Sequence, residues 1–209
     1  MPAEISRWSP AAERILRTAA QLIAVRGFAA TSTRDIAAAV GVQQPAIYKH
    51  FSAKDDILAA LVQLGLERPL ALADELAALS APAAVTLHRW LRESLEHLRD
   101  SPYLLISILT TPELQRTRFS AEVDLLARFD RVVIGMVEAG QREGDLRAMN
   151  PVSAARLVQA LFDALALPEI AVSPAEIVEF ALTGLLSDPA GLPEIQRAAD
   201  ALVVSPASP

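Results

Sequence analysis

Apolar positions along this 209-residue chain recur at helical spacing and seldom alternate as in strands. Residues 1–8 form a polar lead without periodicity, read as loosely ordered. Ser9-Pro10 then supplies a capping hydroxyl and a first-turn proline. Ile15, Leu16, Ala19, Leu22 and Ile23 fall on one stripe, and Gly27 closes this first helix, with Phe28 placed to fold back on it. A second helix starts at Thr31-Ser32-Thr33-Arg34-Asp35, where Ser32 and Asp35 have capping-box spacing. Ile36, Ala37 and Val40 are its apolar face and Gly41 its end. A three-residue turn leads to a very short third helix with Pro45 in its first turn. Ser52-Ala53-Lys54-Asp55 opens a fourth by the same capping logic, and Pro69 is expected to end or kink it.

The remainder repeats this grammar. Ser80-Ala81-Pro82 opens a fifth helix to about Asp100, and Ser101-Pro102 starts a short segment from Tyr103 to Leu109. A long seventh helix follows from about Ser120 to Arg142, stopped by Gly144. Asn150-Pro151 and Ser173-Pro174 begin an eighth to about Ala166 and a ninth to about Leu186. These last two are apolar nearly all round, and a helix of that kind must be covered on both sides. A partner subunit would supply the second side; central helices of a monomer core are the alternative. The fold expected is all-α, with about nine helices.

Composition narrows the class. The chain is 52% hydrophobic, enough for a sizeable core, and its apolar runs are all broken by charged residues or proline before the length of a membrane span. The start shows no signal-peptide pattern. With no cysteine, disulfides and thiolate metal sites are excluded, which is compatible with a cytoplasmic location. The net charge of −6 does not suggest a nucleic-acid binder. Its distribution does more: residues 1–60 carry a balance of +2 and the remainder −8, and the only two lysines are Lys49 and Lys54.

The stretch Gly41–Phe51 carries the candidate chemistry. Ile47 and Phe51, four apart, share an inward face. Gln43, Gln44, Tyr48 and Lys49 are then free to point outward. Glutamine can pair bidentately with adenine, lysine can reach guanine or phosphate, and Tyr48 suits a phosphate. Thr33, Arg34 and Lys54 lie near helix N-termini, where backbone N–H groups favour an anion. His50 suits phosphate or packing on Phe51. The bland reading of the set is a solvated polar face.

The run from Ile15 to Leu61 resembles the DNA-binding domain of the TetR family of bacterial transcriptional repressors. The resemblance lies in Ala19-Ala20-x-Leu22, Arg26-Gly27-Phe28, Thr31-x-Thr33-x-x-Ile36-Ala37, Val40-Gly41-Val42, Ile47-Tyr48-Lys49-His50-Phe51 and Ser52-x-Lys54-x-x-Ile57-Leu58. At 43–46 the chain has Gln-Gln-Pro-Ala where many members have Ser-Lys-Gly-Thr, so one cation of the usual set is missing. The resemblance implies a helix-turn-helix head over residues 1–54, a larger helical ligand-binding and dimerisation domain over 55–203, and a flexible tail at 204–209. It also implies a homodimer on a double-stranded DNA operator, released by a small-molecule effector, and a four-helix dimer interface from the eighth and ninth helices. The interface residues expected are Leu157, Leu161, Ala164, Ile177, Phe180, Ala181, Gly184 and Leu185.

The effector site is less defined. Trp90, Tyr103, Phe119, Phe129, Met136 and Phe162 are aromatic or soft residues on body helices, each more often core than pocket lining, with His88 and Arg89 as polar anchors. An apolar or amphipathic effector fits them. His88 and His97 are nine apart without a carboxylate at ligand spacing, so no metal site is expected, nor any cofactor. There is no phosphate loop or nucleophile elbow. The reading is therefore a regulator and not an enzyme; the alternative is a helical enzyme or adaptor whose head has lost DNA binding.

Overall fold

The computed structural model describes residues 8–103, 105–166 and 172–204. Among them are ten α-helices and one isolated antiparallel bridge, Leu146 with Leu186. The chain divides into two compact units. One comprises residues up to Gly65 together with Ser101–Asp124; the other comprises Leu66–Asp100 and the chain from Leu125 onward.

The first unit is built on α1 (Pro10–Arg26), α2 (Thr33–Val40), α3 (Gln44–Tyr48) and the beginning of α4 (Lys54–Ala77). Ser9 accepts the Ala12 N–H, Pro10 stands in the first turn, and α1 buries Ala12, Ile15, Leu16, Ala19, Ala20 and Ile23. Gly27, at φ +80°, donates to the Ile23 carbonyl and ends the helix. Phe28 then turns inward and meets Phe119 edge-on, with centroids 6.5 Å apart. Trp8, assigned by sequence to the loose lead, instead packs against Phe51 at 5.4 Å. The rest of that lead, residues 1–7, and the tail from 205 lie outside the described residues. The start of α4 also differs. Asp56, one residue beyond the expected Asp55, closes the turn by accepting the Ala53 N–H at 2.9 Å. Asp55 and Asp56 both pair with Arg118, at 2.6 and 3.2 Å. The segment carrying Arg118 includes α6 (Leu105–Leu109), which packs on α1, and two short 3-10 turns.

The second unit centres on α5 (Ala83–Asp100), whose inner stripe includes Leu87, Trp90, Leu91 and Leu95. Its first N–H is met from a distance: Glu143, at the end of α7 (Ser120–Glu143), accepts the Ala83 N–H at 2.7 Å. Pro69 neither ends α4 nor lies near its end; the helix continues two turns to Ala77. Leu70, Leu72, Ala73 and Leu76 are buried there, and the Pro69 carbonyl accepts the Trp90 indole N–H at 2.8 Å. Tertiary packing thus outweighs the one ladder hydrogen bond proline removes. Arg68 bridges Glu75 and Glu93, each at 2.9 Å, and Arg89 joins Glu93 at 2.5 Å.

Helices α8 (Pro151–Phe162) and α9 (Pro174–Leu185) lie together. They are not enclosed on all sides. Ala154, Ala155, Val158 and Phe162 form the inner stripe of α8, and Ile177, Val178, Ala181, Leu182 and Leu185 that of α9. A tenth helix, α10 (Leu192–Ala201), unforeseen in the sequence, packs on α5, with Asp200 paired to Arg92 and the Ala199 carbonyl accepting from Arg89.

A close approach joins α7 to α9. Leu146 donates to the Gly140 carbonyl at 3.0 Å and bridges to Leu186, while Arg147 donates to Leu185 and Ser187 to Asp145. A Cβ at Gly140 would lie 2.5 Å from the Leu146 Cγ, whereas one at Gly135 meets nothing within 4 Å. Gly140→Ala should therefore lower stability by about 1–3 kcal/mol through overpacking. Gly135→Ala should leave it unchanged or raise it by about 0.5–1 kcal/mol, because glycine is the costlier residue in a helix. Urea unfolding of both variants checks this.

Candidate nucleic-acid interface

Local signals place α3 against α2. The Ser32 hydroxyl accepts the Asp35 N–H at 3.1 Å, and the Asp35 carboxylate accepts both the Ser32 N–H at 2.9 Å and the Ser32 hydroxyl proton. This reciprocal cap sets the backbone at Thr33, the first residue of α2. At the other end Gly41 adopts the left-handed conformation, φ +79° and ψ 32°, and the Val42 N–H bonds back to the Ala37 carbonyl at 2.9 Å. Gln43 is extended, and α3 then runs for five residues with Pro45 in its first turn.

Ile47 and Phe51 are buried, which turns the rest of the short helix outward. Gln43, Lys49 and His50 are exposed, as is Arg34 on α2, and Tyr48 is half exposed. Gln44, Tyr48 and Thr33 meet. The Gln44 Nε2 donates to the Thr33 Oγ1 at 2.8 Å and to the Tyr48 hydroxyl at 3.1 Å, and the two hydroxyls lie 3.2 Å apart.

Lys54 sits elsewhere. Its Nζ donates to the Phe28 carbonyl at 2.7 Å and the Thr31 carbonyl at 2.6 Å, and lies 4.1 Å over the Phe28 ring. It closes the loop after α1 rather than facing outward with Lys49. Burial draws its pKa below the usual lysine value, against the opposing pull of Asp55 and Glu113.

The residues proposed for an effector separate. Trp90, Phe129 and Phe162 form one cluster in the second unit, with centroids 5.2, 6.4 and 6.0 Å apart. Met136 is half-buried on α7. Tyr103 and Phe119 belong to the first unit, where Phe119 packs on Phe28. His88 is buried with its Nδ1 unpartnered; burial, then Arg92, lowers its pKa, with Asp200 opposing.

The set assigned to a dimer interface splits by exposure. Leu157 and Phe180 are 63% and 71% exposed, and Leu161, Ala164 and Gly184 are intermediate. Ile177, Ala181 and Leu185 are instead buried within the chain, on the inner stripe of α9. Val152, 51% exposed on α8, is apolar in the sequence but falls outside the expected interface set. The helical period marks it only once the inner stripe is known.

Residues 15–61 match the family model described as bacterial regulatory proteins, tetR family. The crystal structure of Mycobacterium smegmatis AmtR superposes with a TM-score of 0.79 and 30% identity, covering 96% of this chain and 99% of that one. The chain belongs to the TetR family. It is a DNA-binding transcriptional regulator. The HTH-type transcriptional repressor KstR2 of Rhodococcus jostii is 28% identical over 137 residues, 64% of this chain and 67% of its own length. The fold is shared with AibR, solved in complex with isovaleryl coenzyme A and operator DNA, at a TM-score of 0.71 and 20% identity over 84% of this TetR-family chain and 98% of AibR.

The cap that orients Thr33 has a pH signature. Hydrogen bonds from the Ser32 hydroxyl and N–H hold Asp35 below its ordinary value of 3.8. A folded-state pKa below the unfolded one adds stability above the unfolded value, lost as pH falls through the folded value. Asp35→Asn should therefore be less stable than wild type at pH 7, with a deficit that closes below pH 3.8. Thermal melts of both proteins across that range check it.

Proposed function

We propose that this protein is a homodimeric repressor that binds a near-palindromic operator through α3 and is released by a small molecule bound in its helical body. The observation that carries the DNA reading is the outward display of Gln43, Tyr48 and Lys49 from a helix held by Ile47 and Phe51. Amide, phenol and ammonium groups there match base edges and phosphates in a major groove. Arg34 and His50 add phosphate contacts at the rim. The two copies of α3 enter successive major grooves about 34–36 Å apart if the half-sites are one DNA turn apart.

The dimer forms through the outer faces of α8 and α9. Val152, Leu157 and Phe180 leave an apolar surface that the chain itself does not cover, flanked by the half-exposed Leu161, Ala164 and Gly184. The same surface on a second copy completes an isologous four-helix contact. The packed rings of Trp90, Phe129 and Phe162 are the candidate contact in the body for an apolar or amphipathic effector. The AibR complex, with both a coenzyme A thioester and operator DNA, supports a ligand response of this kind. Among the described residues no helix is long and apolar enough to cross a membrane, and a cytoplasmic protein without enzymatic activity fits this role.

Selection of bound sequences from random duplex DNA tests the reading, with a near-palindrome as the expected outcome. If the wild type prefers no duplex over bulk competitor, an adaptor or enzyme on the same fold takes its place. On the selected operator, affinity should fall steeply with salt, because phosphate contacts release counterions. Lys49→Ala should flatten the log–log slope by about 0.9 for each phosphate that the lysine neutralises. Leu157→Glu combined with Phe180→Glu should yield folded monomers in sedimentation and weaken operator binding by roughly 100-fold or more, since the second half-site is no longer tethered. Effector coupling of about 1–3 kcal/mol would change operator affinity by roughly 5–150-fold, and saturating operator should weaken effector binding by the same factor.

A further inference from the structure

We infer that Gln44 is a positioning residue, locked with Thr33 and Tyr48 into one hydrogen-bonded unit, and that base reading falls instead on Gln43. This rests on the DNA-binding reading above and divides the labour within it. A carboxamide that pairs with adenine needs a free N–H for the ring N7 and a free carbonyl for the exocyclic amine. Gln44 lacks the first. Its Nε2 carries two protons and has two acceptors, the Thr33 Oγ1 at 2.8 Å and the Tyr48 hydroxyl at 3.1 Å. Engaging adenine would break one of those bonds.

Gln43 stands differently. It is exposed, its backbone is extended, and its side chain makes no capping bond. Both halves of its carboxamide are available to a base edge.

The geometry also gives the unit a purpose. Gln44 and Tyr48 are four apart on α3, and Thr33 is the first residue of α2. Their bonds tie the two helices across the turn. The Tyr48 ring, half exposed, would otherwise swing freely. Held by Gln44 and Thr33, its hydroxyl is fixed where a phosphate contact sets the register of α3 on the duplex. The backbone at Thr33 is itself fixed by the Ser32–Asp35 cap one residue earlier. Order passes from the cap to Thr33, from Thr33 to Gln44, and from Gln44 to Tyr48.

The test is duplex selection followed by affinity measurement on the full-length protein. Gln43→Ala should lose the base preference at one position of each half-site. Gln44→Ala and Thr33→Val should keep the wild-type preferred sequence and weaken all duplexes alike by about 2- to 12-fold, the range for one neutral hydrogen bond. Thr33→Ser should recover what Thr33→Val loses. In a Tyr48→Phe background Gln44→Ala should weaken binding no further, because its effect passes through the phenol. A changed base preference in Gln44→Ala, a Thr33→Ser protein as weak as Thr33→Val, or full additivity with Tyr48→Phe overturns the assignment while leaving the regulator reading intact. A wild type that selects no sequence overturns both.

Discussion

A helix of five residues has no stability of its own, since fixing its first turn costs more than its few hydrogen bonds return. The conformation of α3 is therefore borrowed from the burial of Ile47 and Phe51, both almost wholly removed from solvent. That anchoring decides everything presented on the other side. With Ile47 inward, Gln44 and Tyr48 fall on one flank, four residues apart, close enough to share Thr33. Gln43 remains ahead of the helix and Lys49 and His50 beyond it, all exposed. The left-handed Gly41 permits the chain to enter α3 at that angle, because a side chain there would be strained even with open space around it.

Charge is distributed by the same logic of local need. Of the two lysines, Lys49 remains outside, whereas Lys54 satisfies two carbonyls of the loop that carries Phe28 into the core. A charge-assisted hydrogen bond is stronger than a neutral one, and the two bonds to the Phe28 and Thr31 carbonyls offset part of the burial cost that draws the Lys54 pKa down. The acids next to it are held as well. Asp55 and Asp56 face Arg118, and Asp35 is engaged by Ser32. The exposed cations near α3 thus stand beside acids that are already paired, which a count of +2 over residues 1–60 does not convey.

What the sequence reveals depends on the range of the interaction. Ser9-Pro10, Gly27, the Ser32–Asp35 pair and Gly41 act within a few residues, and each is visible as a pattern and present in the structure. The outward set on α3 is legible for the same reason, from the spacing of Ile47 and Phe51. Lys54 is not, because its two acceptors lie 26 and 23 residues earlier. Nor is the cap of α5 by Glu143, 60 residues distant, or the passage of α4 through Pro69, which depends on Leu70, Leu72 and Leu76 finding cover. The tenth helix is short, and Ala199 is the one residue on it that is fully buried. The interface residues are hard to sort because a helix apolar all round gives no phase: Ile177 and Phe180 are three apart, yet one is inside and the other out.

That ambiguity is itself informative once the phase is known. Along α9, residues 176, 180 and 184 succeed one another at four-residue spacing, as Glu, Phe and Gly. The first is a charged residue, but its carboxylate is turned back into the cap by the Ser173 N–H and hydroxyl and so lies at the helix end. The second is an aromatic ring and the third a position without a side chain, a combination suited to close approach by another helix. Full burial of a phenylalanine is worth about 1.5–3 kcal/mol, and Phe180 at 71% exposure forgoes most of it within a single chain. Leu157 on the adjacent α8 does the same. An isolated exposed apolar residue needs no explanation; two large ones on neighbouring helices, with Val152 nearby in sequence and a glycine one turn on, make a patch. In the dimer proposed above, a second copy of the same face supplies matching cover, as an isologous contact requires.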